Sequence, residues 1–577
     1  MTSGILAALW LLGLFAAAPL LRGSAREYRF ADRLRDALIL GIAIPLALGA
    51  VHLLYPVACF VALALCTLRA IQMHSPPTST ARAQQPPYLT VAALLVVAWP
   101  QLMRPLLDGD SLSYHLPNAA AWVQAHSLWT SATRYWWYPP ASELFASGLY
   151  TVSGPFALPW CGLCALALLA TRVTVWAREA MGCNAMVSDA LAAALVIVYP
   201  LATQGGTLQN DVWLAAFFVE SLWTLRIAGE PAAMRTIAVT ALVKPQGWIF
   251  AAIALLAAKA PRRVWYAAGA AIAAWLLHDA LLVRGALISP AASSAYAHPW
   301  STTILANGLP ALWLLARVAA STSPFVLFAL AAALFGPLPT RRKDPLGWAA
   351  LACVLVFLLL PFGYETNVAQ LATGTSLRFA APAIALGALL IARHIGRAAM
   401  LATLAFAASA AFGAWRILAV FWNDGSTHAA LPLAAVGVAL VAVSYRHRSV
   451  WPAAAGLAAG VILSTHLAAR HPIDYYDDAL RVNGVAPGIY HWIATQRPTA
   501  VGGAGLRLGV VNVLSPATRT RDLLDETACS DARRSGVLLI AVAQSDLPPQ
   551  TNAARLAAAR ACGRFVYADP IGVATAP

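Results

Sequence analysis

LTVAALLVVAWPQLMRPLLDGDSLSYHLPNAAAW, residues 89–122, passes from a stretch with the length and apolarity of a bilayer crossing straight into a polar loop. Leu89 to Leu106 carries one charge, Arg104, and then Asp108 and Asp110 arrive together. Carboxylates at the edge of hydrocarbon are costly unless they have work to do. A helix beginning near Ser111 would hold Tyr114, His115, Trp122 and Trp129 at the interface, with both acids at its start. Next comes Tyr135-Trp136-Trp137-Tyr138-Pro139-Pro140-Ala141-Ser142-Glu143, an aromatic, proline-stiffened turn with one acid.

The rest of the chain repeats this grammar. Of 577 residues, 60 % are hydrophobic and 11 % charged, with a mean hydropathy of +0.67. That excludes a mostly water-soluble protein and implies an all-α polytopic membrane protein of about 13–16 transmembrane helices. A net charge of +15 would suggest nucleic acid if it were clustered, but the Lys and Arg fall in small groups between apolar runs. Alternate loops hold 21 of the 39: Arg22–Arg35, Arg69 and Arg82, Arg172 and Arg178, Arg226 and Arg235, Lys259–Arg263, Arg341–Lys343, Arg393 and Arg397, Arg446 and Arg448. By the positive-inside rule that side is cytoplasmic, so the loop 108–156 and the residues after Arg470 face the periplasm of a bacterial inner membrane.

Three regions follow. Residues 1–88 are N-terminal spans plus a Pro/Ser/Thr/Gln-rich linker, 89–469 are the transmembrane core, and 470–577 are a small extracytoplasmic α/β domain. The apolar runs Leu506 to Leu514, Gly536 to Val542 and Arg564 to Tyr567 are expected as its strands. Cys161 and Cys164 form a CxxC with no second pair, which does not support a metal or redox centre. Cys529 and Cys562 lie in the polar C-terminal region, where a disulfide and two free thiols both remain open.

An acid, YHLP, a Trp-bearing helix and PPxxE, all in the first large outer loop, together resemble glycosyltransferases of the GT-C class. Relatives include protein O-mannosyltransferase-like and lipid A aminoarabinose transferase-like enzymes, which use polyprenyl-phosphate sugar donors. The resemblance covers roughly Leu89 to Leu467 and implies a GT-C-like helical bundle. Asp110 best matches the family's essential acid, with Asp108 as the substitute. Asn210-Asp211 opens a later outer-facing span as the family's second acid does. Lys244-Pro245 resembles the Lys-containing break between two short spans, and Arg378 in Leu377-Arg-Phe-Ala-Ala-Pro382 resembles the motif at the entry to a late span. The chain departs from the pattern by having about three spans before the core and by lacking the Glu-Lys pair that aminoarabinose transferases carry before their prolines.

Sugar transfer from a lipid phosphate needs a base for the acceptor proton and an environment that accepts the developing phosphate charge. Asp110 suits the base; a helix N-cap is its other reading. Lys244 and Arg378, lone cations at outer ends of spans, suit a phosphate, as they would suit snorkelling to headgroups. Asp211 would orient the acceptor or, with Asp110 and His115, hold a divalent metal. Asp108, Tyr114, His115, Glu143 and His278 complete the expected substrate-binding set, although His278 and Asp279 also have the spacing to pair with each other. No Walker loop, GxSxG elbow or HExxH motif is present. The expectation is transfer of a sugar from a polyprenyl-phosphate donor to a lipid, glycan or protein acceptor, with inversion; the alternative is a secondary transporter or lipid flippase, which would concentrate polar groups at mid-membrane in two related halves.

Overall fold

A computed structural model describes residues 1–22, 30–73, 87–130, 132–133, 135–282, 303–336, 344–359, 375–395, 398–421, 425–447, 451–482, 488–504, 506–522, 538–542, 553, 557, 565–569 and 572–573. Cys529 and Cys562, and with them the disulfide question, lie outside these residues.

The helices in chain order are α1 (Thr2–Ala17), α2 (Phe30–Ala50), α3 (Pro56–Met73), α4 (Tyr88–Leu102), α5 (Leu116–Ala125), α6 (Ala141–Ser153), α7 (Trp160–Glu179), α8 (Ala185–Val196), α9 (Tyr199–Ala202), α10 (Asp211–Trp223), α11 (Glu230–Ala241) and α12 (Gln246–Ala257). They continue as α13 (Arg262–Leu282), α14 (Gly308–Thr322), α15 (Pro324–Phe335), α16 (Pro345–Leu359), α17 (Ala381–Ile395), α18 (Ala399–Phe421), α19 (Gly425–Arg446), α20 (Trp451–Ala468), α21 (Pro472–Val482), α22 (Gly488–Gln496) and α23 (Leu508–Leu514). Among the described residues six helical segments are long and apolar enough to cross a membrane, and seven shorter helices share their apolarity.

Burial separates inner from outer helices. The apolar windows of Pro155–Glu179 and Ser376–His394 are 72 % and 78 % buried, against 17–22 % for Pro56–Met73, Arg262–Leu282 and Trp451–Ala468. The second group therefore shows its apolar surface to lipid, while α7, α10 and α17 form the interior. Gly162 of α7 lets the loop after α9 approach, because a Cβ there would meet the Gln204 carbonyl oxygen at 2.1 Å. That loop leads to Asp211, so a packing glycine helps to set the position of a candidate site residue.

Two residues expected as cytoplasmic loop charges, Arg35 and Arg172, are instead buried in an ion network inside the bundle. Arg172 pairs with Asp32 and with Glu220, each at 2.6 Å, and its guanidinium lies over the Trp223 ring. Arg35 pairs with Asp36 at 2.8 Å and Asp32 at 3.1 Å. The physical reason is mutual: buried Asp32, Asp36 and Glu220 need cations, and a guanidinium placed there needs carboxylates to offset its desolvation. The network joins α2 to α7 and α10, and α1 packs on α2, α6 and α20, so the first helices are built into the bundle.

After α20 the chain forms an α/β unit. Its strands are β1 (Ala500–Ala504), β2 (Arg519–Asp522), β3 (Leu538–Val542), β4 (Phe565–Asp569) and β5 (Gly572–Val573), in the order β2-β1-β3-β4-β5. All neighbours are parallel except β4 and β5. The runs near 536–542 and 564–567 are strands as expected, but Leu506 to Leu514 is not: Leu508–Leu514 is α23. Leu508 through Val513 are all buried, Gly509 and Asn512 included, so contact on every side overrides the β preference of its valines.

Candidate active site

The polar loop after α4 turns into α5 through a widened helical turn, Ser111–His115, in which the Leu116 N–H reaches the Ser111 carbonyl. Pro117 sits in the first turn of α5, where its missing N–H costs least. Asp108 Oδ1 accepts the Ser111 N–H at 2.8 Å. Asp108 therefore does the capping, and Asp110, which makes no capping bond, is released for other contacts. The Ser111 hydroxyl accepts the Leu208 N–H at 2.8 Å, tying this turn to the segment before α10.

Four residues converge there. Arg378 Nη2 donates to Asp110 Oδ2 at 2.5 Å, and Arg378 Nε lies 3.5 Å from Asp211 Oδ2. Lys244 Nζ donates to Asp211 Oδ1. Asp110 comes from the loop after α4, Asp211 from the start of α10, Lys244 from the break before α12 and Arg378 from the turn Thr375–Ala380 ahead of α17. Phe379, which sequence reasoning did not single out, lies beneath both cations: Lys244 Nζ is 5.1 Å and the Arg378 guanidinium 4.9 Å from its ring centre.

The two acids are not equivalent. The Asp110 side chain is 35 % exposed and that of Asp211 only 5 %. Burial would raise the Asp110 carboxyl, but Arg378, with His115 and Arg507 near by, more than reverses this and holds it below the usual carboxylate value. Asp108 is pushed the other way by burial, and its Oδ2 has no hydrogen-bond partner among the described residues. Arg378 Nε, although 3.5 Å from Asp211 Oδ2, likewise makes no hydrogen bond among the described residues.

An aromatic wall adjoins the network. The Tyr114 ring lies 4.7 Å from Tyr135 and 5.8 Å, edge-on, from Tyr138. Burial and the Asp110 charge push the Tyr114 phenol up, so it stays protonated and able to donate.

His115 and Glu143 meet each other rather than the network. His115 Nδ1 donates to Glu143 Oε1 at 2.5 Å, Glu143 Oε2 accepts from Ser142 Oγ, and both side chains are buried, fastening the loop to α6. Asp110, His115 and Asp211, named as a metal set, do not gather around a common point. The acids are turned to Arg378 and Lys244 and His115 to Glu143, and no group of three His, Cys, Asp or Glu among the described residues is placed to hold an ion.

His278 pairs with Asp279 at 3.2 Å, stacks on Trp275, meets Trp129 at a tilt, and donates through Nε2 to the Leu128 carbonyl. None of these partners belongs to the four-residue network, so His278 links α13 to the loop between α5 and α6. The same loop is bonded elsewhere: Leu128 N–H to Gly49 O, Trp129 Nε1 to Ala50 O, and Asp522 N–H to Ala132 O.

The C-terminal unit reaches this loop directly. A Cβ on Gly509 would lie 2.6 Å from Leu112 Cα, so α23 rests against the Ser111–His115 turn. Arg507 Nη1 donates to Ser113 Oγ at 2.7 Å, and Gln124 Nε2 donates to the Pro516 and Thr518 carbonyls. Nothing in the spacing of residues 470–577 signals these contacts.

No protein-family model matches the sequence, and no curated protein matches it. Among solved structures the chain is similar to ArnT from Cupriavidus metallidurans, in crystal structures of the apo state (15 % identity, TM-score 0.42) and of the protein bound to undecaprenyl phosphate (14 % identity, TM-score 0.44), each alignment covering 83 % of this chain and 92 % of the other.

Proposed function

We propose that the protein is a glycosyltransferase that moves a sugar from a polyprenyl-phosphate donor to a lipid, glycan or protein acceptor at the outer, periplasmic membrane face. The observation that carries this reading is the convergence of Asp110, Arg378, Asp211 and Lys244 from four separate elements at one end of the bundle. Two cations paired to two carboxylates, with Arg378 Nε facing Asp211 but making no hydrogen bond among the described residues, form a receptor for a phosphate that a lipid carries along the bundle.

The donor phosphate draws the Arg378 guanidinium away from Asp110, and Asp110 then regains proton affinity. An acceptor hydroxyl attacks the anomeric carbon from the side opposite the phosphate. The carbon–oxygen bond to phosphate breaks with its electron pair remaining on the phosphate oxygen, the hydroxyl proton passes to Asp110, and the product has inverted configuration. Lys244 and Arg378 stabilise the charge that grows on the released polyprenyl phosphate. Tyr114, Tyr135 and Tyr138 present ring faces and a phenolic donor to the sugar.

The test is mass spectrometry of envelope glycolipids and glycoproteins from a deletion strain, followed by transfer with purified protein, donor and acceptor. A missing sugar restored by the wild-type chain but not by Asp110→Asn is expected. Accumulation of labelled substrate in sealed vesicles without a new covalent product would overturn the reading in favour of transport.

A further inference from the structure

Lys244 and Arg378 are already neutralised by Asp211 and Asp110, so the four-residue floor carries no net charge. A site that captures an anionic headgroup from a membrane surface needs an excess of positive charge. Arg507 of the C-terminal unit provides one. Its Nη1 donates to Ser113 Oγ at 2.7 Å and lies 3.5 Å from Gly109 O, two residues that flank Asp110. Both partners are neutral, and among the described residues no carboxylate lies within ion-pair range of Arg507. Its Nε and Nη2 donate to nothing among those residues, which leaves most of a planar guanidinium fork open beside the network.

The backbone that presents Arg507 is held firmly. Its N–H donates to the Tyr490 hydroxyl at 2.8 Å, and two residues later Gly509 lies against Leu112 with no room for a side chain. Arg507 is close enough to help hold Asp110 ionised. We propose that Arg507 is an anion-binding residue of this site, contributed by the C-terminal domain, and that it takes a phosphate group of the lipid-linked donor or of the acceptor. This deepens the transferase reading and rests on it for the identity of the phosphate carrier.

The experiment uses the full chain in lipid nanodiscs. Binding of a polyprenyl phosphate is titrated without turnover, and acceptor KM is measured separately, for wild type, Arg507→Gln, Arg507→Lys and Ser113→Ala. Gln keeps a donor toward Ser113 but no charge, so it separates charge from docking; limited proteolysis confirms that the C-terminal unit stays bound. Arg507→Gln should weaken polyprenyl-phosphate binding by about tenfold or more, as expected for loss of a charge-assisted bond, with Lys recovering part and Ser113→Ala within about threefold of wild type. An unchanged lipid-phosphate affinity with an acceptor KM raised about tenfold would assign the phosphate to the acceptor. Wild-type values in both measurements for a docked Arg507→Gln would overturn the proposal and leave the transferase standing. Binding that depends on Arg507 in a protein with no transfer activity would keep the proposal and remove the transferase.

Discussion

Arg378 Nη2 lies 2.5 Å from Asp110 Oδ2, so the cation that enters the bundle just before α17 is committed to a carboxylate that is 35 % exposed in the loop after α4. Because Asp110 is held below its ordinary value, the pair stabilises the fold above about pH 3.9 and loses that contribution as pH falls through the lowered folded value. Thermal stability in detergent should fall in that acid range for wild type and less for Asp110→Asn. Asp108, raised by burial, has the opposite sign and opposes folding as pH rises through the same unfolded value. Asp108→Asn, which keeps an oxygen for the Ser111 N–H, should match or exceed wild-type stability near neutral pH.

Asp110→Asn should also lower transfer by at least about a hundredfold, the usual scale for a lost general base, with membrane insertion intact. Turnover with purified donor and acceptor is the measurement, and a normal rate would remove Asp110 from the chemistry.

Lys244→Met leaves Asp211 charged and buried without its ammonium partner. Breaking a buried pair from one side costs roughly 3–5 kcal/mol, although Arg378 at 3.5 Å offsets part of this. Adding Asp211→Asn should restore stability without restoring activity. A Lys244→Met protein as stable as wild type would show that the pair contributes nothing to the fold.

Gly509→Val should separate α23 from the Ser111–His115 turn, since its first side-chain carbon would meet the Leu112 backbone at 2.6 Å. Overpacking of this kind costs about 1–3 kcal/mol, and backbone at the contact cannot swing aside. Protease cleavage between α20 and α23 should become faster while the helical bundle stays intact by circular dichroism. Unchanged cleavage would mean the two surfaces are not held together.

Deleting residues 1–73 removes Asp32, Arg35 and Asp36 and strands Arg172 against Glu220 alone. The shortened chain should fail to give a monodisperse peak on size-exclusion chromatography. Arg172→Ala in the full chain should cost roughly 3–5 kcal/mol. A well-behaved truncated protein would contradict a structural role for the first helices.

Much of this arrangement could be read from residue order. An apolar span ended by Asp108 and Asp110, an acid opening α10, a Lys-Pro break and an Arg before a late span are local signals, and the alternation of charged loops placed their elements on one side. Pairing was not legible. The same spacing allowed Asp110 to cap a helix, and only the three-dimensional path shows Asp108 doing so instead. Arg35 and Arg172 read as loop charges because a cation at the end of a span looks the same whether it meets water or Asp32. Arg507 and α23 were missed because their partners lie about 400 residues earlier, beyond any periodicity or motif spacing.

The bonds that fix the outer loop have a thermodynamic consequence. Gly49 and Ala50 of α2, His278 of α13 and Asp522 of β2 hold it from three elements before any ligand arrives. Ordering a slack segment on ligand entry would consume about 1–2 kcal/mol per residue. Here that entropy is surrendered during folding, so the receptor is preorganised and nearly all of the interaction with an incoming headgroup remains available as affinity.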